Sequence, residues 1–341
     1  MNDLPIFNPD NEYDYEINLR PKKLNDFVGQ DSVKNELSIY IQAAKMRNES
    51  LDHVLLSGPP GLGKTTLASI IASEMNVNFR ATSAPILEKG GDLAAILTSL
   101  EENDVFFIDE IHRLRPNIEE ILYSAIEDFQ LDIIIGQGPN ARNIKINLPH
   151  FTFVGATTKA GALTAPLHAR FGILMNLNFY SIENLAQVIK RSAVLLGIKI
   201  NEKSCTKIAR CARGTPRIAN RLLKRIRDYA MIKGDGLINV SITMAALEML
   251  NIDKLGLDSF MRRMMTTMIQ KYDGGPVGLE TIAASISEDS QTIEDVYEPY
   301  LLQLGFLKRT SRGRQITSLA YQHLGLESLL KKNHSESELF D

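Results

Sequence analysis

Apolar positions follow two rhythms along this chain, and the rhythm changes at about the midpoint. In the first half, short unbroken apolar runs alternate with helical periods. HVLLSGPPGLGKTTLASIIASEM reads as a strand, a glycine loop and a helix. DVFFIDEIHRL (104–114) is a buried strand ending in acids, EEILYSAIEDF (119–129) a helix, and HFTFVGATTKAG (150–161) a third buried strand. Strands apolar on both faces, alternating with helices, predict a parallel sheet covered on both sides, the α/β class. Upstream, Val33, Leu37, Tyr40 and Ile41 share one helical face, with Asp31 as the N-cap. LDIIIGQGPNARNIKINL (131–148) alternates apolar and polar on both sides of a Gly-Pro-Asn turn and predicts a β-hairpin.

Beyond Tyr180 the strand signal stops. Residues 181–251 read as helices only. From about residue 254, SFMRRMMTTMIQKY, GLETIAASISE and TIEDVYEPYLLQLGFL read as three helices, followed by two short strands across SRGR. Three helices and a terminal hairpin make the winged-helix pattern, a helix-turn-helix variant. The expected division is therefore 1–180, 181–253 and 254–341.

Composition adds limits. The 341 residues are 44% hydrophobic and 23% charged with net charge −3, the profile of a globular chain with a full core. No apolar run approaches the roughly 20 residues of a membrane span, and the acidic, polar start is no signal peptide, so a cytoplasmic setting is expected. Cys205 and Cys211 have neither CxxC nor zinc spacing and are expected as buried free thiols. The stretch from Gly305 to Arg314 carries Lys308, Arg309, Arg312 and Arg314 and no acid. It is either a solvated face or a nucleic-acid contact. Gly305 to Thr310 reads as one strand, Ser311 to Arg314 as the turn and Gln315 onward as the other strand. That arrangement puts Arg312 at the tip and Arg309 and Arg314 on its flanks. Basic charge without an aromatic stacking platform suits duplex phosphates better than a single strand.

The chemistry concentrates in GPPGLGKT (58–65), which fits GxxxxGK[ST] between a strand and a helix. Its glycines let backbone N–H groups cradle phosphate oxygens at a helix N-terminus. Lys64 reaches the β- and γ-phosphates of ATP, and Thr65 offers its hydroxyl to Mg²⁺. Asp109 and Glu110 end a strand where a metal-holding acid and a water-polarising acid belong. Thr157-Thr158, ending the third strand, offer either a γ-phosphate sensor or a cap. Arg170 is either an arginine finger or a surface ion pair. Arg217 follows Pro216 at a helix start and could face phosphate. Alternatively it is one of nine basic residues, with no acid, on the face formed by 203–227.

Together these stretches resemble the RuvB family, AAA+ motors of Holliday-junction branch migration. LRPKKLNDFVGQ, GPPGLGKTTLA, DEIHRL, ILYSAIEDF, GATTKAGALTAPLHARFGI, RGTPRIANRLLKRIRD, GGPVGLETIAASISED and TIEDVYEPYLLQLGFLKRT carry the likeness from about residue 17 to 325. The resemblance implies a P-loop ATPase domain, a helical lid and a winged-helix domain. Adenine is then expected beside Leu19 and Arg20, and phosphate and metal at Gly61, Lys64, Thr65, Thr66, Asp109 and Glu110. Thr158 falls on the first sensor, Arg170 on the finger, Arg217 on the second sensor, and Tyr180 and the triplet Glu127, Asp128, Phe129 on further nucleotide contacts. Arg309, Arg312 and Arg314 fall on the DNA grip. The resemblance also implies a homohexameric ring, double-stranded DNA and the four-way junction as load, RuvA docked on the 131–148 hairpin, and a complex with RuvC in recombination, repair and the SOS response. The hairpin's Ile133, Ile135, Ile144 and Ile146 are either that docking face or core. Ser311 and Lys159 depart from the family's usual proline and arginine. Two alternatives stand beside the motor: an origin-recognition-like DNA-binding ATPase switch, which also joins AAA+ to a winged helix, and a protein remodeller. No aromatic pore loop between Phe79 and Gly91 supports the latter, and the finger reads His168-Ala169-Arg170 rather than Ser-Arg-Cys.

Overall fold

The computed structural model describes residues 19–135 and 142–329. The leader, the Gly-Pro-Asn turn of the hairpin and the polar tail lie outside them, as do the side chains of Ile133 and Ile135. The chain divides into two compact units between Asn184 and Leu185.

The first unit opens with helix α1 (Asp31–Arg47), which buries Val33, Leu37, Ile41 and Ala44. Asp31 is not the cap. Gln30 holds that position in the left-handed region, and Asp31 sits in the first turn, paired with Lys34 at 2.9 Å. An acid there is favoured by the helix dipole without capping it. Tyr40 leaves the buried face and bonds Glu36. There follow β1 (Val54–Ser57), α2 (Lys64–Met75), β2 (Phe79–Ser83), α3 (Gly90–Leu97), β3 (Val105–Asp109) and α4 (Pro116–Glu127). The hairpin β4 (Gln130–Ile135) and β5 (Arg142–Asn147) comes next, then β6 (Thr152–Thr157), α5 (Ala165–Ala169) and β7 (Ile173–Asn176). The sheet order is β2-β3-β6-β1-β7, with every pairing parallel.

Every residue of β6 is buried, as expected of a strand covered on both faces. Phe106, Phe151, Phe153 and Phe171 join Ile118, Leu122 and Leu131 in one core. Each such phenylalanine contributes about 1.5–3 kcal/mol by leaving water. Ile146 packs on that core, whereas Ile144 is 44% exposed. So the hairpin face is neither wholly core nor wholly free.

The second unit begins within α6 (Ile182–Leu195) and continues through β8 (Lys199–Ile200), α7 (Glu202–Cys211), α8 (Pro216–Lys233), β9 (Leu237–Ile238) and α9 (Val240–Met249). The helices-only expectation is corrected here. β8 and β9 pair in parallel over two residues each, too few for any periodicity to register. Next come α10 (Ser259–Tyr272), α11 (Leu279–Ile286), α12 (Ser290–Thr292), a π-helical turn (Ile293–Tyr297) and α13 (Glu298–Gln303). The unit closes with β10 (Leu307–Thr310), β11 (Gly313–Ile316) and α14 (Ser318–Leu324). Met261, Met264, Met265 and Met268 are fully buried at the centre. The π turn has a cause in the sequence: Pro299 has no N–H to donate back to the preceding turn.

Side chains on either side of the expected 253/254 boundary pack together within the second unit. Arg213, itself 5% exposed, donates to the Gly256 carbonyl at 2.6 Å and to Asp258 at 2.7 Å. Asp258 caps α10. Cys211 bonds the Asp253 carbonyl, and the Asp253 carboxylate takes His323 at 2.7 Å. Cys205 and Cys211 are both buried and free, and burial pushes the Cys211 thiol up to about 11.

Candidate functional site: a nucleotide cradle, a distant arginine and a basic wing

The P-loop turns from β1 into α2. Gly58 (φ +135°) and Gly63 (φ +101°) hold backbone that an L side chain rarely adopts, and a Cβ on Gly58 would meet the Leu177 carbonyl at 2.4 Å. Gly63 begins α2 with no side-chain cap, so the first-turn amides of Lys64, Thr65 and Thr66 are not taken by one. Lys64 is 6% exposed and folds across the loop, donating to the carbonyls of Gly58 at 2.7 Å and Pro59 at 3.0 Å. Uncapped amides, a buried ammonium and two permissive glycines fit the phosphates of a nucleotide.

Neighbouring strands bring the remaining groups to the same edge of the sheet. β3, β6 and β1 are adjacent, so Asp109, Thr157 and Ser57 end side by side. Thr65 Oγ1 lies 3.4 Å from Asp109 Oδ2, an oxygen pair that suits a hard cation such as Mg²⁺. Glu110 takes a left-handed conformation, φ +53°. Its carboxylate lies 3.4 Å from Thr158 Oγ1 and 3.3 Å from His112 Nε2. His112 Nδ1 in turn meets Thr157 Oγ1 at 3.0 Å. Sequence reasoning missed His112. The signal was its place two residues after Glu110, where a tight turn returns it to the strand end.

The segment before α1 lies against this loop. Leu19 is buried and Arg20 exposed. The Leu24 amide donates to Glu74 on α2, and a Cβ on Gly63 would meet the Phe27 ring at 3.2 Å. Tyr180, 8% exposed, donates its hydroxyl to the Leu62 carbonyl at 3.3 Å, and burial raises its pKa well above the ordinary phenol value. Leu19 to Phe27 and Tyr180 thus approach the cradle from within the first unit. Arg217 belongs to the second unit, exposed in the first turn of α8.

Arg170 is elsewhere. It precedes β7, and a Cβ on the neighbouring Gly172 would meet Asp52, just before β1, at 3.3 Å. That is the amino end of the strands; the cradle is at the carboxyl end. From His53 to Gly58 the extended chain covers about 17 Å, more than an arginine side chain reaches. At its own end Arg170 donates to Glu127 at 2.6 Å and to the Pro166 carbonyl at 2.8 Å. Its Cζ lies 4.5 Å from the centre of the Tyr123 ring, and its buried Nε has no partner among the described residues. The Tyr123 and Thr164 hydroxyls both bond Glu119, which is 8% exposed. Glu127 of the expected triplet therefore joins Arg170, and Phe129 packs on His150 and Phe151.

On the wing, the turn is shorter than expected. β10 and β11 pair Arg309 with Arg314 and Thr310 with Gly313, so Ser311 and Arg312 alone form the loop and Arg314 is a strand residue. Gly313 (φ +138°) explains this: a Cβ there would meet the Val277 carbonyl at 2.3 Å. Val277, from GGPVGL, exchanges both backbone hydrogen bonds with Arg314. Arg309 and Arg314 also bond Glu298, which sequence reasoning missed, while Lys308 and Arg312 are exposed on the same ribbon.

A phosphate cradle on a five-stranded parallel sheet, a helical lid and a winged helix define an AAA+ P-loop ATPase. Three family models match end to end: the Holliday junction DNA helicase RuvB P-loop domain over residues 19–177, the RuvB AAA lid domain over 180–253 and the RuvB C-terminal winged-helix domain over 254–325. The chain belongs to the RuvB family. The solved structure of the Thermotoga maritima RuvB Holliday junction branch migration motor is 54% identical, with TM-score 0.84, covering 90% of this chain and 98% of that one. Structures of its K64R and R170A mutants match with the same TM-score at 54% and 53% identity, each covering 91% of this chain and 99% of that one.

Proposed function

We propose that this protein is an ATP-driven motor that moves a Holliday junction along duplex DNA, hydrolysing ATP to ADP and phosphate in a cytoplasmic homohexameric ring. The observation that carries the reading is the separation of Arg170 from Lys64 by the length of the sheet. A finger that cannot reach its own cradle serves a neighbour's, and a ring lets every subunit both give and receive one.

The cradle residues have distinct tasks. The α2 amides and Lys64 hold the β- and γ-phosphates, Thr65 and Asp109 would hold Mg²⁺, and Leu19, Arg20 and Tyr180 bound the base. A Mg²⁺ ion held there would supply positive charge against the charge that develops on the phosphate oxygens. Glu110 polarises the attacking water, with Thr158 and His112 fixing its carboxylate. Arg170 of one subunit, with Glu127, Asp128 and Phe129 beside it, faces the γ-phosphate of the next; Arg217 senses the same phosphate from the lid. The close packing around Arg213 and Asp253 supports transmission of lid movement to the winged helix, where Arg309, Arg312 and Arg314 hold the duplex. The β4–β5 hairpin, with Ile144 exposed, suits docking of RuvA, in a complex that RuvC can join.

The test combines purified protein, ATP, Mg²⁺, RuvA and a synthetic four-way junction with labelled arms. Movement of the junction is expected, and Lys64→Ala should abolish it. ATP turnover beside a stationary junction would replace this reading with the DNA-binding ATPase switch.

A further inference from the structure

We propose that Glu298 is a positioning residue of the DNA grip: a buried carboxylate that aims Arg309 and Arg314 so that each presents its outer guanidinium nitrogen, Nη1, to a phosphate backbone. The inference rests on the proposed role of the wing in holding duplex DNA.

The geometry is that of a double fork. Arg309 donates Nε to Glu298 Oε1 at 2.7 Å and Nη2 to Oε2 at 3.1 Å. Arg314 donates Nε to the same Oε1 at 3.2 Å and Nη2 to Oε2 at 3.2 Å. The Glu298 side chain is 1% exposed, against 53% for Arg309 and 18% for Arg314. Both pairings use the Nε/Nη2 side of the guanidinium. Nη2 of each also lies 3.5–3.6 Å from Glu294, so Nη1, which has no partner among the described residues, is the nitrogen left to donate to a phosphate oxygen.

The backbone is fixed as firmly as the side chains. Arg309 and Arg314 are cross-strand partners, and Arg314 is bonded through N–H and carbonyl to Val277. Glu298 follows the π turn and begins α13, where Pro299 sets the chain direction.

Charge argues the same way. Glu294 lies at 3.5–3.6 Å from both arginines, so two cations and two carboxylates meet in one cluster. A patch meant only to attract phosphate gains nothing from acids beneath its cations, because they lower the local potential. The buried carboxylate costs long-range attraction and gives direction in return.

That trade makes a test with opposite signs. Glu298→Gln removes one negative charge from the full-length protein. If Glu298 only offsets charge, duplex binding tightens. If it aims the arginines, binding weakens about tenfold, and the slope of log affinity against log salt flattens by about 0.9 for each phosphate that the arginines no longer neutralise. Glu294→Gln makes the same charge change at the cluster's more exposed edge and should bind at least as tightly as the parent. Unchanged or tighter binding by Glu298→Gln, or an equal loss in Glu294→Gln, overturns the proposal.

Arg309→Lys/Arg314→Lys decides the matter independently should the glutamine variant unfold. It keeps charge and an ion pair but lacks the fork, so undiminished affinity there also overturns the proposal. Arg309→Ala/Arg314→Ala separates the two levels. No change in affinity or slope in that variant sinks the wing reading itself.

Discussion

At the carboxyl end of the five-stranded sheet, Lys64, Thr65, Asp109, Glu110, Thr158 and His112 converge from three adjacent strands and the loops that follow them. At the amino end, Arg170 lies on Tyr123 and is bound to Glu127. The first cluster is an acid-rich cradle whose own lysine folds back on loop carbonyls. The second is a cation held by a partly exposed acid, with one buried donor unsatisfied among the described residues. An ion pair as open as Arg170–Glu127, whose glutamate side chain is 59% exposed, is worth about 0–1 kcal/mol. As the proposed finger, Arg170 would be held in place by such a pair yet released at little cost to a stronger anion. In the proposed function the two ends are complementary halves, and they lie too far apart to meet within one chain.

The largest effect follows from breaking that complementarity. Arg170→Ala should lower ATP turnover by about 10³-fold or more while a fluorescent nucleotide titration shows unchanged binding. Mixed with Lys64→Ala subunits, it should regain part of the turnover, because some interfaces then combine an intact cradle with an intact finger. Abolished nucleotide binding, or no recovery in rings shown by two affinity tags to be mixed, would return Arg170 to a role within its own subunit. Glu110→Gln tests the other half. A loss of about 10²–10⁴ in kcat with little change in KM is expected of a group that acts on the attacking water. A raised KM at unchanged kcat would make it a binding residue instead.

What can be read in the sequence follows from how local each feature is. The P-loop is one contiguous stretch whose glycines, lysine and threonine fix their own geometry, so it is legible whole. Asp109 and Glu110 are legible because a buried run ends at them. Arg170 is legible as a residue, but which end of the sheet it occupies depends on the crossover from β6 to β7, which no local pattern gives. The wing turn reads as four residues because Ser311 to Arg314 is polar throughout. Its true length is set by Val277, brought in from a distant segment. Glu298 looks like an ordinary helical acid for the same reason, since its partners lie on two later strands. Asp31, a good cap by type, gives way to Gln30 because the chain enters α1 through a left-handed residue.

A smaller effect sharpens the cradle. His112 touches Glu110 and Thr157, so His112→Ala should lower kcat about tenfold by letting the Glu110 carboxylate wander, with ATP affinity retained. His112→Asn, able to bond one partner, should recover part of the loss. Equal kcat in the alanine variant and the parent would leave Thr158 as the group that orients Glu110.

The smallest effect sharpens the finger end. Tyr123→Phe keeps the ring beneath Arg170 but removes the hydroxyl that bonds Glu119. Glu119 is then left with Thr164 among these two donors. Thermal unfolding should register a loss of about 1 kcal/mol, the usual worth of one such bond, while kcat falls no more than about twofold if the ring face supports the guanidinium. Tyr123→Ala removes the platform as well and should reduce kcat further than it reduces stability. Parallel losses in both variants would instead mean that Tyr123 holds α4 in place and leaves the direction of Arg170 to Glu127 and the Pro166 carbonyl.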